Sequence, residues 1–470
     1  MKRTLIILAA ALSLFATSCT KWLDINKNPN YISEADMSLL LPSVQLRTAA
    51  KVGYDLSLYG TFWSQYVVQC NSTNQYYTIM TNDVTNSTFT STWSYVYASI
   101  FPGIKEILAQ CETKQNVSNF QLEAKAMLAY NLYLMTSLYD KVAYTEGFLT
   151  ESQTPHFDTG ESIQATLISL LEEIRAMSAA TVAADEKLNP SSSSDMVFGG
   201  DTDAWFDFAN TLYLKVLMRD FAANSGKIQS LLNEGNFLTE DASFDNFEDK
   251  ADKSNPFYES DRRQLNTTAN IRACSDILAV LSEDDPRLEY FYDQNPGGVF
   301  AGAAYGQNGE ANKTSRLALY PTEAVYFGTV DEALFLQAEA YARLNKADAA
   351  EIAYDAAVVA AFKRVGVPAA AAAALFLVDD YAFEAGTPEA MVEQIINQKW
   401  ASNVHGMPWE SWFDINRTGY PTRGKTITAF SGVLPAGQYP RRFIASKTSS
   451  DYNPNAPAPE EVSVKMWWQK

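Results

Sequence analysis

From Asp331 to Phe362 apolar residues recur every three to four positions, with one interruption at Asn345-Lys346, and this spacing predicts a helical hairpin. Small and aromatic residues alternate along it, at Ala338, Tyr341, Ala350, Tyr354 and Ala357. Alanines at facing positions let two helices approach closely, and the tyrosines fill the groove that remains. One such pair cannot bury its own outer face, so further helical pairs must flank it. Leu122 to Leu138 places Leu122, Ala126, Ala129, Tyr130 and Tyr133 on one face. Ser162 to Ile174 repeats the pattern after a helix-start signal in Asp158-Thr159-Gly160, and a third segment runs from about Thr202 to Phe221. Strand-like alternation is scarce. The expected fold is all-α, with helical hairpins forming one scaffold that carries long irregular loops.

The order of small and aromatic residues in the hairpin matches the spacing of tetratricopeptide repeats, with Gln337 in place of the expected leucine and Phe362 in place of the usual terminal proline. An ordinary alanine-rich hairpin is the alternative for this segment. The helices near 122–138, 162–178 and 202–221 are candidates for degraded flanking repeats. Polar stretches at 189–200 and about 241–270 interrupt helices without dividing domains, because neither side is left without packing partners.

The N-terminus has Lys2 and Arg3, an apolar run from Leu5 to Leu12, and small residues before Cys19. That is the plan of a secretory signal. The run is far shorter than the roughly twenty residues a membrane-spanning helix needs, so it reads as cleaved. Ala16-Thr17-Ser18-Cys19 is similar to the lipobox of bacterial lipoproteins, where the thiol is diacylated and two chains anchor stably. The reading is therefore a signal peptide at 1–18, a lipidated tether at 19–30, and a single domain at 31–470. A plain signal peptide is the alternative. No later segment is long and apolar enough to span a membrane.

With 55 acidic and 36 basic residues the formal charge is −19, which repels nucleic-acid backbones and argues against that class of partner. Beyond Cys19 only Cys70, Cys111 and Cys274 remain, so at most one disulfide forms, and the core is large enough to need none. His156 and His405 lack neighbours at metal-ligand spacing, so no metal site and no cofactor is expected. Gly419 to Thr426 satisfies the phosphate-loop pattern, but it follows a charged, aromatic stretch, contains Pro421 and precedes no helical period. The carboxylate pairs Asp284-Asp285 and Glu460-Glu461 are of a kind common on acidic surfaces, and a glycosidase would need two acids converging across a cleft.

Aromatic residues make up 13% of the chain, and some lie in loops where a core has no obvious need of them. Tyr76 and Tyr77 sit in an amide- and hydroxyl-rich stretch with Asn74 and Gln75, suited to stacking on a flat ligand while hydrogen-bonding its edges. Tyr305 lies in a loop from Gly297 to Asn312 of the same character. For these tyrosines ligand contact and loop packing stand as equal alternatives. Trp93, Tyr97 and Phe101 are spaced by four, which favours a core-facing stripe. Trp467 and Trp468 read as packing or interface residues.

Several ordered segments together resemble the SusD/RagB family of outer-membrane nutrient-binding lipoproteins, in its second SusD-like subgroup. They are Cys19 to Asn30, Asp140 to Glu146, Gly199 to Arg219, Glu332 to Ala340, Gln398-Lys399-Trp400, Glu410-Ser411-Trp412 and Arg417 to Pro421. Ala143 departs from the usual proline, and Gln438 to Arg442 is a loose match to an arginine-tyrosine-proline stretch. The resemblance implies a tetratricopeptide-like helical body, attachment to the outer membrane facing the cell surface, and a SusC-like TonB-dependent barrel as partner. It further implies capture of an oligosaccharide or a peptide without catalysis. A surface glycoside hydrolase and a structural or adhesive lipoprotein are the competing expectations.

Overall fold

The computed structural model describes residues 35–470 apart from 151, 266–269 and 368. The signal peptide, Cys19 and the tether lie outside the described residues.

The chain is built mainly of helices. Those that carry the architecture are α1 (Met37–Ala50), α2 (Ser57–Trp63), α3 (Thr90–Tyr95), α4 (Phe101–Thr113), α5 (Ser118–Tyr139), α6 (Gly160–Arg175), α7 (Thr202–Leu217), α8 (Val330–Arg343), α9 (Ala347–Arg364), α10 (Pro388–Ser402), α11 (Pro408–Thr418) and α12 (Lys447–Tyr452). Helix α5 is buried nearly all round, as a helix apolar on every face must be, and α1, α4, α6 and α7 pack around it. Its neighbour α6 starts where the sequence signal places it, with the Thr159 hydroxyl accepting from the Ser162 amide at 3.3 Å.

Helices α8 and α9 form the expected hairpin, with Asn345 at φ +57° in the turn. Ala338, Ala350 and Ala357 are fully buried and Tyr354 nearly so, which is the close approach that the alanines predict. Helix α10 closes over α8 and completes a second apolar cluster around the hairpin. Helix α11 packs against α2, near the other end of the sequence.

Two boundaries differ from expectation. The third amphipathic segment does not stop at Phe221. It passes through a tight turn at Met218–Asp220, where the Asp220 carboxylate caps the next turn, and continues as a helix to Glu234. The stretch at 241–270 is not wholly irregular, because β2 (Ala242–Phe244) lies within it. That strand pairs with β6 (Val325–Gly328). A four-stranded antiparallel sheet runs in the order β1 (Val67–Gln69), β3 (Ile271–Ala273), β5 (Arg316–Leu317), β4 (Tyr292–Asp293). Strands of two to four residues are too short to show a period of two, so periodicity could not reveal them.

Glu123 on α5 is 0% exposed and accepts the Ser191 hydroxyl at 2.6 Å. Burial, with the Asp195 charge next in weight, pushes its carboxyl well above the usual range. An acid raised in the folded state costs nothing below its unfolded value. Stability falls as pH climbs from that value toward the folded one. Glu123→Gln is therefore expected to match the parent protein near pH 4 and to exceed it by about 1 kcal/mol or more at pH 7, read from urea unfolding. Equal stability at both pH values would contradict this.

Candidate ligand-binding face

The small sheet gathers the loops of interest. Strand β1 leads into the loop at 70–83, β4 leads into the loop at 294–314, and β5 ends it. Isolated bridges at Cys70 with Gly309 and at Cys274 with Ala303 tie the second loop to the sheet edge. The Asn71 amide donates to the Gly309 carbonyl at 2.9 Å. A third loop joins from the C-terminal part: the Val433 amide donates to the Thr81 carbonyl at 2.9 Å, and the Asn82 side chain donates to the Ser431 carbonyl at 3.0 Å.

Gln69, fully buried at the end of β1, moulds the first loop. Its amide nitrogen donates to the Thr73 hydroxyl at 2.7 Å, and its carbonyl oxygen accepts from the Tyr76 amide at 2.7 Å. Tyr76 is thereby turned inward: its ring packs against Phe62 and its hydroxyl donates to Asp261 at 3.0 Å. Burial raises its phenol, which stays a neutral donor. The next ring points the other way, and Tyr77 is 44% exposed beside the exposed Asn74 and Gln75.

Tyr305 is also interior, 4% exposed, with its ring set edge-on against Phe430. Gly306 follows at φ +85°, where a side chain would run into the Phe430 ring. Of the five expected contact residues, then, Tyr76 and Tyr305 are corrected to loop-packing residues. Burial of the ring, together with an internal hydrogen-bond partner for Tyr76, is the reason. Tyr77, Asn74 and Gln75 remain on the surface, joined there by Gln307, Asn308 and Asn312 from the second loop.

Next to this face lies a cleft of about 640 Å3, between Leu278, the turn at 283–289 and the loop at 294–300. Its size falls within the range of small-ligand sites, and its walls mix Leu278, Val299 and Phe300 with Glu283, Glu289 and Gln294. Periodicity could not have found it, because its walls come from two helices of four to six residues and the loops beside them.

The remaining chemical motifs resolve as structure. Asp285 is held by Arg287 at 2.7 Å with both side chains fully buried, and Glu460 bridges to Arg442 and Lys141. Neither carboxylate pair therefore offers two unoccupied acids. Gly419 closes α11 at φ +84°, with its amide donating to the Ile415 carbonyl. The phosphate-loop pattern thus starts at a helix C-terminus, where carbonyls rather than amides point outward. His156 is exposed beside Glu146 at 3.0 Å, and His405 is buried beside Glu323 at 2.8 Å. Cys70, Cys111 and Cys274 are all free thiols. Trp468 is buried beneath the Arg219 guanidinium, 4.9 Å from its ring. Among the described residues no helix is long and apolar enough to cross a membrane, and no cluster of three or more metal-binding side chains occurs.

The SusD-like family described as "starch-binding associating with outer membrane" matches residues 29–444. A SusD homologue from Bacteroides uniformis superimposes with a TM-score of 0.74 at 19% identity, over 92% of this chain and 99% of that one. A Bacteroidetes SusD-like protein gives 0.76 at 18%, over 93% and 100%. A chitin-binding SusD homologue from Flavobacterium johnsoniae gives 0.72 at 20%, over 91% and 97%. No curated protein matches the chain. The helical scaffold, the sheet-gathered loops and a match spanning most of the sequence lead to one conclusion: the chain belongs to the SusD-like family of outer-membrane-associated binding proteins.

Proposed function

We propose that this protein captures an oligosaccharide on the loop face around Tyr77 and hands it, chemically unchanged, to a SusC-like TonB-dependent barrel in the outer membrane. In this reading Cys19 carries the lipid anchor and the protein faces the cell surface. The observation that carries the reading is the family match over residues 29–444, whose description joins starch binding to the outer membrane. The likeness to a chitin-binding SusD homologue as well supports carbohydrate as the ligand class rather than one glycan.

The face suits that ligand. An exposed tyrosine ring covers the apolar face of a sugar, while Asn74, Gln75, Gln307 and Asn308 offer amide donors and acceptors to its hydroxyls. Truncating the ring in Tyr77→Ala is expected to raise the Kd for a bound oligosaccharide about tenfold, the worth of one stacking contact. Calorimetric titration with maltohexaose and chitohexaose measures it, and an unchanged Kd removes Tyr77 from the site. Incubation with either glycan should release no new reducing ends; their appearance would favour a hydrolase. A pull-down from detergent-solubilised outer membranes should recover a barrel. Recovery of the lipoprotein alone, where other barrel complexes survive, would favour an adhesive role.

A further inference from the structure

A second cleft, of about 400 Å3, opens between α3, the loop at 152–157 and α12. Trp93 stands between two rings. Tyr97 stacks on it at 4.6 Å and Phe157 at 5.4 Å, the latter within 10° of parallel, so the three form one slab that lines the cleft. Tyr452 lines the same cleft from α12 and is 79% exposed. Hydroxyls and an amide from Ser94, Gln153 and Ser449 complete the wall.

Two features distinguish this cleft from ordinary packing. The chain is 19% charged and carries −19 overall, yet among the described residues no Asp, Glu, Lys or Arg lines the cleft. An uncharged, aromatic, hydroxyl-rimmed hollow on so acidic a surface selects a neutral ligand with an apolar face. The walls are also fixed in place. Asn453 donates to the Pro155 carbonyl at 2.8 Å and Asn455 to the Thr154 carbonyl at 2.7 Å, clamping the segment after α12 onto the 152–157 loop. A clamped cleft loses little entropy on binding.

We infer that this cleft is a second carbohydrate subsite, holding one neutral sugar ring between the Trp93–Tyr97–Phe157 slab and Tyr452. The inference rests on the carbohydrate reading above and adds a contact on a different part of the surface from Tyr77. A glycan long enough to span both contacts gains affinity without any change at the first face.

The test is titration of the mature protein with maltohexaose and chitohexaose, comparing the parent with Tyr452→Ala and Ala98→Trp. Tyr452 and Ala98 are both exposed, so neither change disturbs the core. Ala98 lines the cleft, and a tryptophan there fills it. The expected result is a Kd raised about fivefold by Tyr452→Ala and at least as much by Ala98→Trp, with unchanged melting temperature. Binding by the parent with neither variant weakened overturns the second subsite and leaves the carbohydrate reading intact. Failure of the parent to bind either glycan overturns both.

Discussion

Replacing Glu339 with alanine is expected to cost about 3 kcal/mol of folding free energy, because the change strips the nearly buried Arg417 and the part-exposed Arg343 of a shared counter-ion. Glu339 is fully buried and accepts from Arg417 at 2.7 Å and from Arg343 at 2.7 Å. Arg417 also reaches Asp414 at 2.7 Å, and Asp414 reaches Lys399 at 2.8 Å. Lys399 shares Glu332 with Lys215, which in turn meets Glu410 at 3.3 Å. The result is a continuous buried chain of charge linking α7, α8, α10 and α11. Isolated surface pairs are worth little. Here, by contrast, the groups are out of water, and each is tolerable only while its neighbours remain.

Burial alone would push Glu339 up, yet Arg417 and Arg343 hold it well below the usual carboxylate range. A depressed acid stabilises the fold above its unfolded value near pH 4.3, and that stability disappears as pH falls toward the folded value. Parent and Glu339→Ala should therefore differ most near neutral pH and converge in acid. Chemical denaturation at pH 7 and pH 3 measures both. A loss under about 1 kcal/mol at pH 7 would show that water or rearranged partners solvate the guanidiniums. Replacing Glu339 and Arg417 together by leucine and methionine should recover part of the loss, since apolar residues of similar size substitute for a buried pair at little cost, Asp414 keeps Lys399, and the part-exposed Arg343 can turn to water.

Helices were legible because their signal is local. The spacing of Ala338, Tyr341, Ala350, Tyr354 and Ala357 lies within one hairpin, and the structure bears it out with the three alanines fully buried. The cap at Thr159 was legible for the same reason. What stayed hidden was set by distant partners. Tyr76 and Tyr77 are chemically identical neighbours, and what holds one inward is the Gln69 side chain together with Phe62 and with Asp261, the last far along the chain. The sheet that gathers the loops is made of strands such as Tyr292–Asp293, too short for any pattern. Trp93, Tyr97 and Phe101 read as a core stripe. Phe101 and Trp93 are buried as expected and Tyr97 packs against them, while Trp93 and Tyr97 also line an open cleft. A four-residue spacing places these rings on one side of the chain without saying whether anything covers that side.

The contact that positions the ligand loops yields the second large effect, the loss expected from Gly60→Ala. Gly60 lies in α2, one strand before the loop that carries Tyr77. A Cβ there would meet the Pro408 carbonyl carbon at 2.5 Å and the Trp409 Cα at 2.7 Å, both in the backbone of α11. Backbone cannot swing aside as a flexible side chain can. The two segments are also pinned, with the Ser64 hydroxyl donating to the Pro408 carbonyl at 2.9 Å and the Trp400 indole donating to the Ser64 carbonyl at 2.8 Å. Helix propensity favours alanine over glycine by about 1 kcal/mol, whereas forcing two helices apart costs about 1–3 kcal/mol and sometimes more. With no soft neighbour to yield, the clash wins, and the expected net loss is about 1–2 kcal/mol. Gly226→Ala is the matched comparison, since that glycine sits in an exposed helical turn where an added Cβ would have nothing within 4 Å, and it should gain about 0.5–1 kcal/mol. Because α2 leads through β1 into the 70–83 loop, Gly60→Ala should also weaken glycan binding while Gly226→Ala leaves it unchanged. If Gly60→Ala proved as stable as the parent, α2 and α11 would have to slide past one another freely, and the loop face would not be held by that contact.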